Sequence, residues 1–430
     1  MRRWRQRIRR GWLVVRGRWR LLTLSAICLA GSFLLETGPQ LLGGEAGCSP
    51  EDYQSILSPA YYYHRWTRLN RPTVHNQNTR VISISPESEG QEAISTPCKA
   101  RALHARIVSV LAALRRPPAV IILDYTYRTD YCADKAPESQ LLQKALLSAS
   151  LAGIPVALGL SDLTQDEIED ERRQAAFPRR LKADESVLDS LQWRPLPESP
   201  TVRYGLVRVR CDVERLALGW PAYVDDRLQQ FQVFPTLAKA AISAYGPGSE
   251  DPQLAALEKA GWDVFVPFLA EKEIRAYPAR RVLARDPAVA GDLASRFVII
   301  CDFVGDSFAS PVGKIPGGLF HANYIESVLS SSYFRPVPGY WTLLVSAAWF
   351  AAIELIFRKL KDSVWKPIAA AVAATGVFVA VFFVVVARLF NCYMLLWPPS
   401  AAFIAGKSWG VIEDRLRGAS EANGRPAAAH

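Results

Sequence analysis

The chain has 430 residues, half of them hydrophobic, and a formal charge of +10 at pH 7. That is enough for one large domain or two, with membrane-length apolar material left over. Nine of its 51 lysines and arginines fall in residues 1–20, which hold no acid, so the other 42 face 41 acids and a broadly basic, nucleic-acid-binding surface is excluded.

In chain order, the basic terminus 1–19 is followed by the apolar run "LLTLSAICLAGSFLL", which predicts a transmembrane helix over 20–36. A cleaved signal peptide is the alternative, but "ETGPQLLGGEAGC" offers no small-residue cleavage site, and Glu45 stands where a lipoprotein signal before Cys48 needs leucine. Retained arginines stay in the cytoplasm, so the chain emerges on the outer side. Interleaved Trp4, Trp12 and Trp19 make this terminus a candidate for anionic membrane lipid rather than for nucleic acid.

Residues 37–338 hold the material of a globular core. "RVISIS" (80–85), "AVIILD" (119–124), "IPVALGL" (154–160) and "RFVIIC" (296–301) are short, near-continuous apolar runs, the pattern of strands buried on both faces of a parallel sheet. Helical spacing separates the first three: Leu103, Ile107, Val110, Leu111 and Leu114 share one stripe, and "SQLLQKALLSASLAG" repeats it before Gly153. The expectation is an extracytoplasmic α/β domain with a mainly parallel sheet. "VRYGLVRVRC" (202–211) alternates like a half-exposed strand and pairs with "RLQQFQVF" (227–234) as an antiparallel addition. The charged stretches after Ser161 read as a solvated helix or surface insertion. "PTLAKAAISAYG" (235–246) begins with proline and ends with glycine, as helices do, and 246–295 offers no clear pattern.

Three further spans are predicted at 340–357, 367–387 and 389–406, with Arg358, Lys359, Lys361 and Lys366 in a cytoplasmic loop between the first two. The tail 407–430 then returns to the cytoplasm and is too short to fold as an output domain. Glu354, inside a span, has Arg358 one turn later as its natural partner, and Asn391 and Pro398–Pro399 read as a polar contact and a kink.

Chemistry-bearing residues gather at the carboxyl ends of the predicted strands, where open α/β sheets bind ligands. Asp124 ends one strand, Asp130 and Asp134 follow it, and Asp302 and Asp306 follow the last. Together they would hold a divalent cation or a cationic ligand. The competing reading is structural: Asp124 caps backbone amides, Asp134 stands near a helix start and Asp306 fixes a loop. Cys98 and Cys132 lie before a helix and after a strand that open on this edge, so a disulfide between them depends on how closely their Cα atoms approach. Cys48, Cys211 and Cys301 are the other outer cysteines, and no C-x-x-C supports a zinc ribbon.

Among the histidines, His64, His75, His104 and His430 carry no motif, and there is neither H-E-x-x-H nor G-x-S-x-G. "GDSFASPVGKI" is not a phosphate loop, because Phe308 replaces the first glycine and Ile315 the metal-binding Ser/Thr. His321 opens the helix "GGLFHANYIESVL" on the face shared with Ile325 and Val328, while Glu326 and Ser327 face water. A neutral His321 donating one ring proton to a carbonyl or to Asp306 is the expected state.

"VISISPES" with "ALHARIVSVLAALRRPPAVIILDYTY", "YGLVRVRCDVERLALGWPAY" with "FPTLAKAAI", and "FVIICDFVGDSF" with "GGLFHANYIESVL" together resemble the CHASE type 2 sensor domain of bacterial cyclases and kinases. The resemblance covers about 80–409. It implies a periplasmic sensor fold after one membrane helix and before three more, in a bacterial inner membrane. Ser85 stands where the family has an acid after its first strand, and no cyclase or kinase is expected in the tail. The reading is therefore a non-enzymatic sensor-like protein coupled through its helices, or by homo-oligomerisation, to a separate membrane or cytoplasmic output protein, its cofactors open. The alternatives are an assembly or scaffold subunit of an envelope complex and, third, a periplasmic enzyme built on the aspartates.

Overall fold

A computed structural model describes residues 76–85, 96–128, 131–160, 193–207, 219–225, 230–246, 269–303, 307–310, 312–333, 335–337, 339–360, 363–390, 392–393, 400 and 403–413. The basic terminus, the predicted span 20–36, the charged stretch 161–192, and Asp130 and Asp306 lie outside them. The chain divides into two compact units, 49–334 and 335–430 with 1–48.

In the first unit the apolar runs become strands β1 (Thr79–Ile84), β2 (Val120–Thr126) and β3 (Val156–Leu160), separated by helices α1 (Pro97–Ala112) and α2 (Pro137–Leu151). Helix α1 starts where Thr96 accepts a hydrogen bond from the Lys99 amide and Pro97 supplies a preset φ. Gly153, at φ +77°, turns the chain after α2 in a conformation that other residues adopt with strain. β4 (Val202–Leu206) joins beside β3, and Gln230–Pro235 pairs with Gly219–Asp225 as the hairpin β5–β6.

Helix α3 (Leu237–Tyr245) follows, then β7 (Ala276–Pro278), α4 (Ala279–Leu283), α5 (Pro287–Leu293), β8 (Phe297–Asp302), the hairpin β9 (Ser307–Ser310) and β10 (Gly313–Pro316), and α6 (Gly317–Leu329).

The main sheet has the order β4-β3-β2-β8-β1-β7 with every pairing parallel. Alternate side chains separate into two cores. Ile82, Ile121, Leu123, Leu158, Val298 and Ile300 face α1, α2, α4 and α5. Val81, Val120, Ile122, Ala157, Ile299 and Cys301 face α3 and α6. Burial on both faces is why these strands read as continuous apolar runs.

Three expectations need correction. Residues 202–206 do not pair antiparallel with 230–235: they form a parallel strand beside β3, and the antiparallel partner of β6 is Gly219–Asp225. Alternation misled because Val202, Tyr204 and Leu206 are buried while Gly205 meets α3, where an added Cβ would overlap the Thr236 carbonyl. The helix after β6 begins with Thr236 as its cap, Pro235 still being strand. Glu326 and Ser327 do not face water: α6 is buried from Gly317 to Val328.

In the second unit, β11 (Arg335–Pro336) is followed by α7 (Gly339–Lys359), α8 (Trp365–Phe390), β12 (Cys392–Tyr393), which pairs parallel with β11, and a helical stretch over 403–413. α8 runs past the predicted break at residue 388, since a single arginine does not interrupt backbone hydrogen bonding. Trp349 stacks on Phe378 and Phe350 on Phe403, with ring centroids 4.1 and 4.7 Å apart. Glu354 meets Arg358 at 3.1 Å and also Lys407, a partner that sequence spacing does not disclose. Among the described residues no helix is long and apolar enough to cross a membrane, so the four predicted spans find no support there. Residues 394–399, including Pro398–Pro399, and the side chains of 382–390 fall outside the described set.

Candidate functional site at the carboxyl edge of the sheet

Asp124 continues the alternation of Val120 and Ile122, so its side chain points to the α6 face of β2. There its carboxylate is 3% exposed. Oδ1 lies 3.4 Å from Nε2 of His321, itself 1% exposed, and the same Nε2 is 3.2 Å from the Val207 carbonyl oxygen. A carbonyl and a carboxylate both accept, so Nε2 carries the proton. The carbonyl expectation for His321 is met by Val207, but the acid at hand is Asp124, with Asp306 outside the described residues.

Among the described residues Asp124 Oδ2 has no hydrogen-bond partner. It lies beside Gly318, where an added Cβ would come within 3.2 Å of Oδ2 and overlap Cys301. The glycine lets α6 approach the sheet this closely. Asp124 is thus a buried carboxylate with one oxygen unmatched among the described residues, an arrangement that costs several kcal/mol unless a ligand completes it.

Asp302 and Tyr125 take the opposite face, toward α1. Tyr125 is pushed well above the ordinary tyrosine range by burial, with the neighbouring Cys301, Asp302, Tyr127 and Asp124 adding to it. Its ring centroid is 4.1 Å from that of His104, whose Nδ1 is 2.9 Å from the Tyr127 hydroxyl and whose Nε2 has no partner among the described residues. Burial, then the nearby Arg101, pushes His104 down to about 3.

Arg101 is itself buried. It donates to Ser139 Oγ (2.6 Å) and the Arg128 carbonyl (2.7 Å) and lies 4.4 Å from the Trp193 ring centroid. Asp134, exposed in the loop, faces it electrostatically and is not gathered around Asp124.

Cys98 and Cys132 are disulfide-bonded, their Cα atoms 5.3 Å apart, and with Arg101 and Ser139 they tie the loop after β2 to the start of α1. Cutting this 34-residue link by reduction, or by Cys98→Ser with Cys132→Ser, should cost about 4 kcal/mol through loop entropy. Thermal melts with and without reductant read the effect, and superimposable melts would show the loop to be held by Arg101 alone.

Of the predicted ligand residues, the structure brings together Asp124 and His321, leaves Asp134 apart, and does not describe Asp130 or Asp306. Among the described residues no group of three or more His, Cys, Asp or Glu side chains could hold a metal ion. Sequence reasoning missed Glu326 and Asn323. Glu326, fully buried, accepts from the amides of Asn78 (2.7 Å) and Thr79 (2.6 Å), the Thr79 hydroxyl (2.9 Å) and the side-chain amides of Asn76 and Asn78. Asn323 accepts from the Leu269 amide at 2.7 Å and donates to the Leu319 carbonyl. The polar run "NQNT" at 76–79, directly before an apolar strand, was the one available signal for Glu326.

A family model described as the CHASE2 domain matches residues 59–357, well over half of the chain. The chain belongs to the CHASE2 domain family. CHASE2 is a sensor-type domain, and the match takes in the whole sheet, Asp124, His321 and α6, ending within α7 rather than near residue 409. No curated protein and no solved structure matches the chain.

Proposed function

We propose that this CHASE2 protein is a non-enzymatic inner-membrane sensor whose periplasmic domain takes a small cation at the Asp124 carboxylate and passes the state of that site through α6 to an output partner. The observation that carries the reading is the unmatched Oδ2 of buried Asp124, at the edge where parallel sheets bind ligands, joined through His321 to α6. A cationic amine satisfies one carboxylate oxygen with a single charge-assisted hydrogen bond, which suits a site where the described residues supply fewer than three ligating side chains. α6 also grips β1 through Glu326, so a shift at its first turn is felt at both edges of the sheet.

Membrane placement is supported by the Arg-rich terminus, by the hydropathy of 20–36 and 340–406, and by the exposed apolar side chains Leu344, Leu355, Val372, Val377 and Val381 on α7 and α8.

The test is a thermal-shift series on the detergent-solubilised protein with spermidine, choline, ammonium, magnesium and calcium. At least one monovalent or polyamine cation should raise Tm by several degrees at saturating concentration, and Asp124→Asn should remove the shift. An equal shift in Asp124→Asn would refute the site, and no shift with any of them would favour a scaffold role.

A further inference from the structure

The helical unit gathers cations and exposed indoles at one of its ends. Arg358 and Lys359 close α7, Trp365 and Lys366 open α8, and Lys407 and Trp409 lie on the 403–413 helix. Packing of Ile353, Phe357, Ile368, Ile404 and Val411 brings the three segments together, and Glu354 bridges Arg358 and Lys407. Among the described residues of this end, four cations face only Glu354 and Glu413. Glu354 is occupied by Arg358 and Lys407, and Lys359 and Lys366 are exposed at the same end.

Trp365 and Trp409 are 73% and 70% exposed. Two large rings held in water at a packed end are costly, whereas an indole gains at a bilayer interface, where its apolar body and its N–H are both satisfied. Beyond this end the exposed side chains turn apolar, at Leu344, Val372, Val377 and Val381, and Tyr340 and Trp341 stand exposed at the far end of α7. Those two ends are roughly 26 Å apart along the helix.

We propose that the end formed by Arg358, Lys359, Trp365, Lys366 and Trp409 is an interface for anionic phospholipid headgroups. Lys359 and Lys366 take the phosphates, and the two tryptophans lie at headgroup depth beside them. Positive charge meets the anionic leaflet, and each cation near such a surface strengthens binding roughly fivefold. The inference rests on the membrane placement proposed above.

Its test is lipid retention by the full-length protein, purified in mild detergent from vesicles of equal phosphatidylglycerol and phosphatidylcholine and analysed by mass spectrometry. Phosphatidylglycerol should be enriched in the retained lipid, and Lys359→Gln with Lys366→Gln should lower that enrichment by about fivefold or more without moving Tm. Equal retention of both lipids by the unaltered protein, or unchanged enrichment in the double variant, would overturn the headgroup interface and leave membrane placement standing. Retention of no lipid at all would overturn both.

Discussion

Replacing Glu326 with alanine is expected to lower the unfolding free energy by about 4 kcal/mol, a fall in Tm on the order of 10 °C. The carboxylate is fully buried and is the acceptor for the backbone amides that begin β1, at Asn78 and Thr79. Without it, the buried Thr79 N–H, the half-buried Asn78 N–H, the Thr79 hydroxyl and the Asn76 and Asn78 amides lose an acceptor together, and each orphaned buried donor costs roughly 1–3 kcal/mol.

Glutamine at the same position fills the space but replaces one acceptor oxygen with a donor aimed at other donors. Glu326→Gln should therefore recover only part of the loss. Melts of the two variants beside the unaltered protein decide the matter. A Glu326→Ala variant as stable as the parent would mean that water replaces the carboxylate and that β1 is held by its sheet partners alone.

Acidification should weaken the domain before most carboxylates titrate. His104 has a folded-state pKa of about 3, below its unfolded value of about 6.5, because burial beside Arg101 excludes the imidazolium. The unfolded chain thus binds the proton more readily, and the stability owed to neutral His104 is complete above pH 6.5 and is lost as pH falls from there toward 3. The loss is about 2 kcal/mol at pH 5 and roughly 5 kcal/mol once both states are protonated.

Asp292, held well below the usual carboxylate range mainly by its hydrogen bond from Arg80, adds a separate loss only below about pH 4. Melts at pH 7.5 and 5.0 should differ for the unaltered protein and converge for His104→Gln, whose side chain can still meet the Tyr127 hydroxyl. An undiminished pH dependence in that variant would place the responsible group elsewhere.

The sheet was legible because its strands are buried on both faces. β1, β2, β3 and β8 were read within two residues of their bounds from apolar runs alone, and the helices between the first three from spacing. The edge carrying the site followed from Asp124 ending such a run. What sequence spacing could not convey was three-dimensional company. In α6 it separates a sheet-facing stripe from Glu326 and Ser327, yet the start of β1 covers Glu326 and turns a polar position into a buried one.

His321 shows the same limit. A hydrogen bond to a carbonyl was legible from a helix start, but its neighbours Val207 and Asp124 come from segments 114 and 197 residues away in sequence. Lys407 reaches Glu354 from another helix for the same reason, and the partner of β6 could not be chosen between two alternating segments without the packing that buries one of them.

In the proposed sensor, Asp124 and α6 form one responsive element. The most direct measurement is hydrogen–deuterium exchange of the full-length protein with and without spermidine. Slower exchange over 317–329 and at 76–79, absent in Asp124→Asn, is the predicted result. Exchange unchanged in both segments while spermidine still raises Tm would contradict it, placing the cation, and any signal it carries, away from Asp124 and α6.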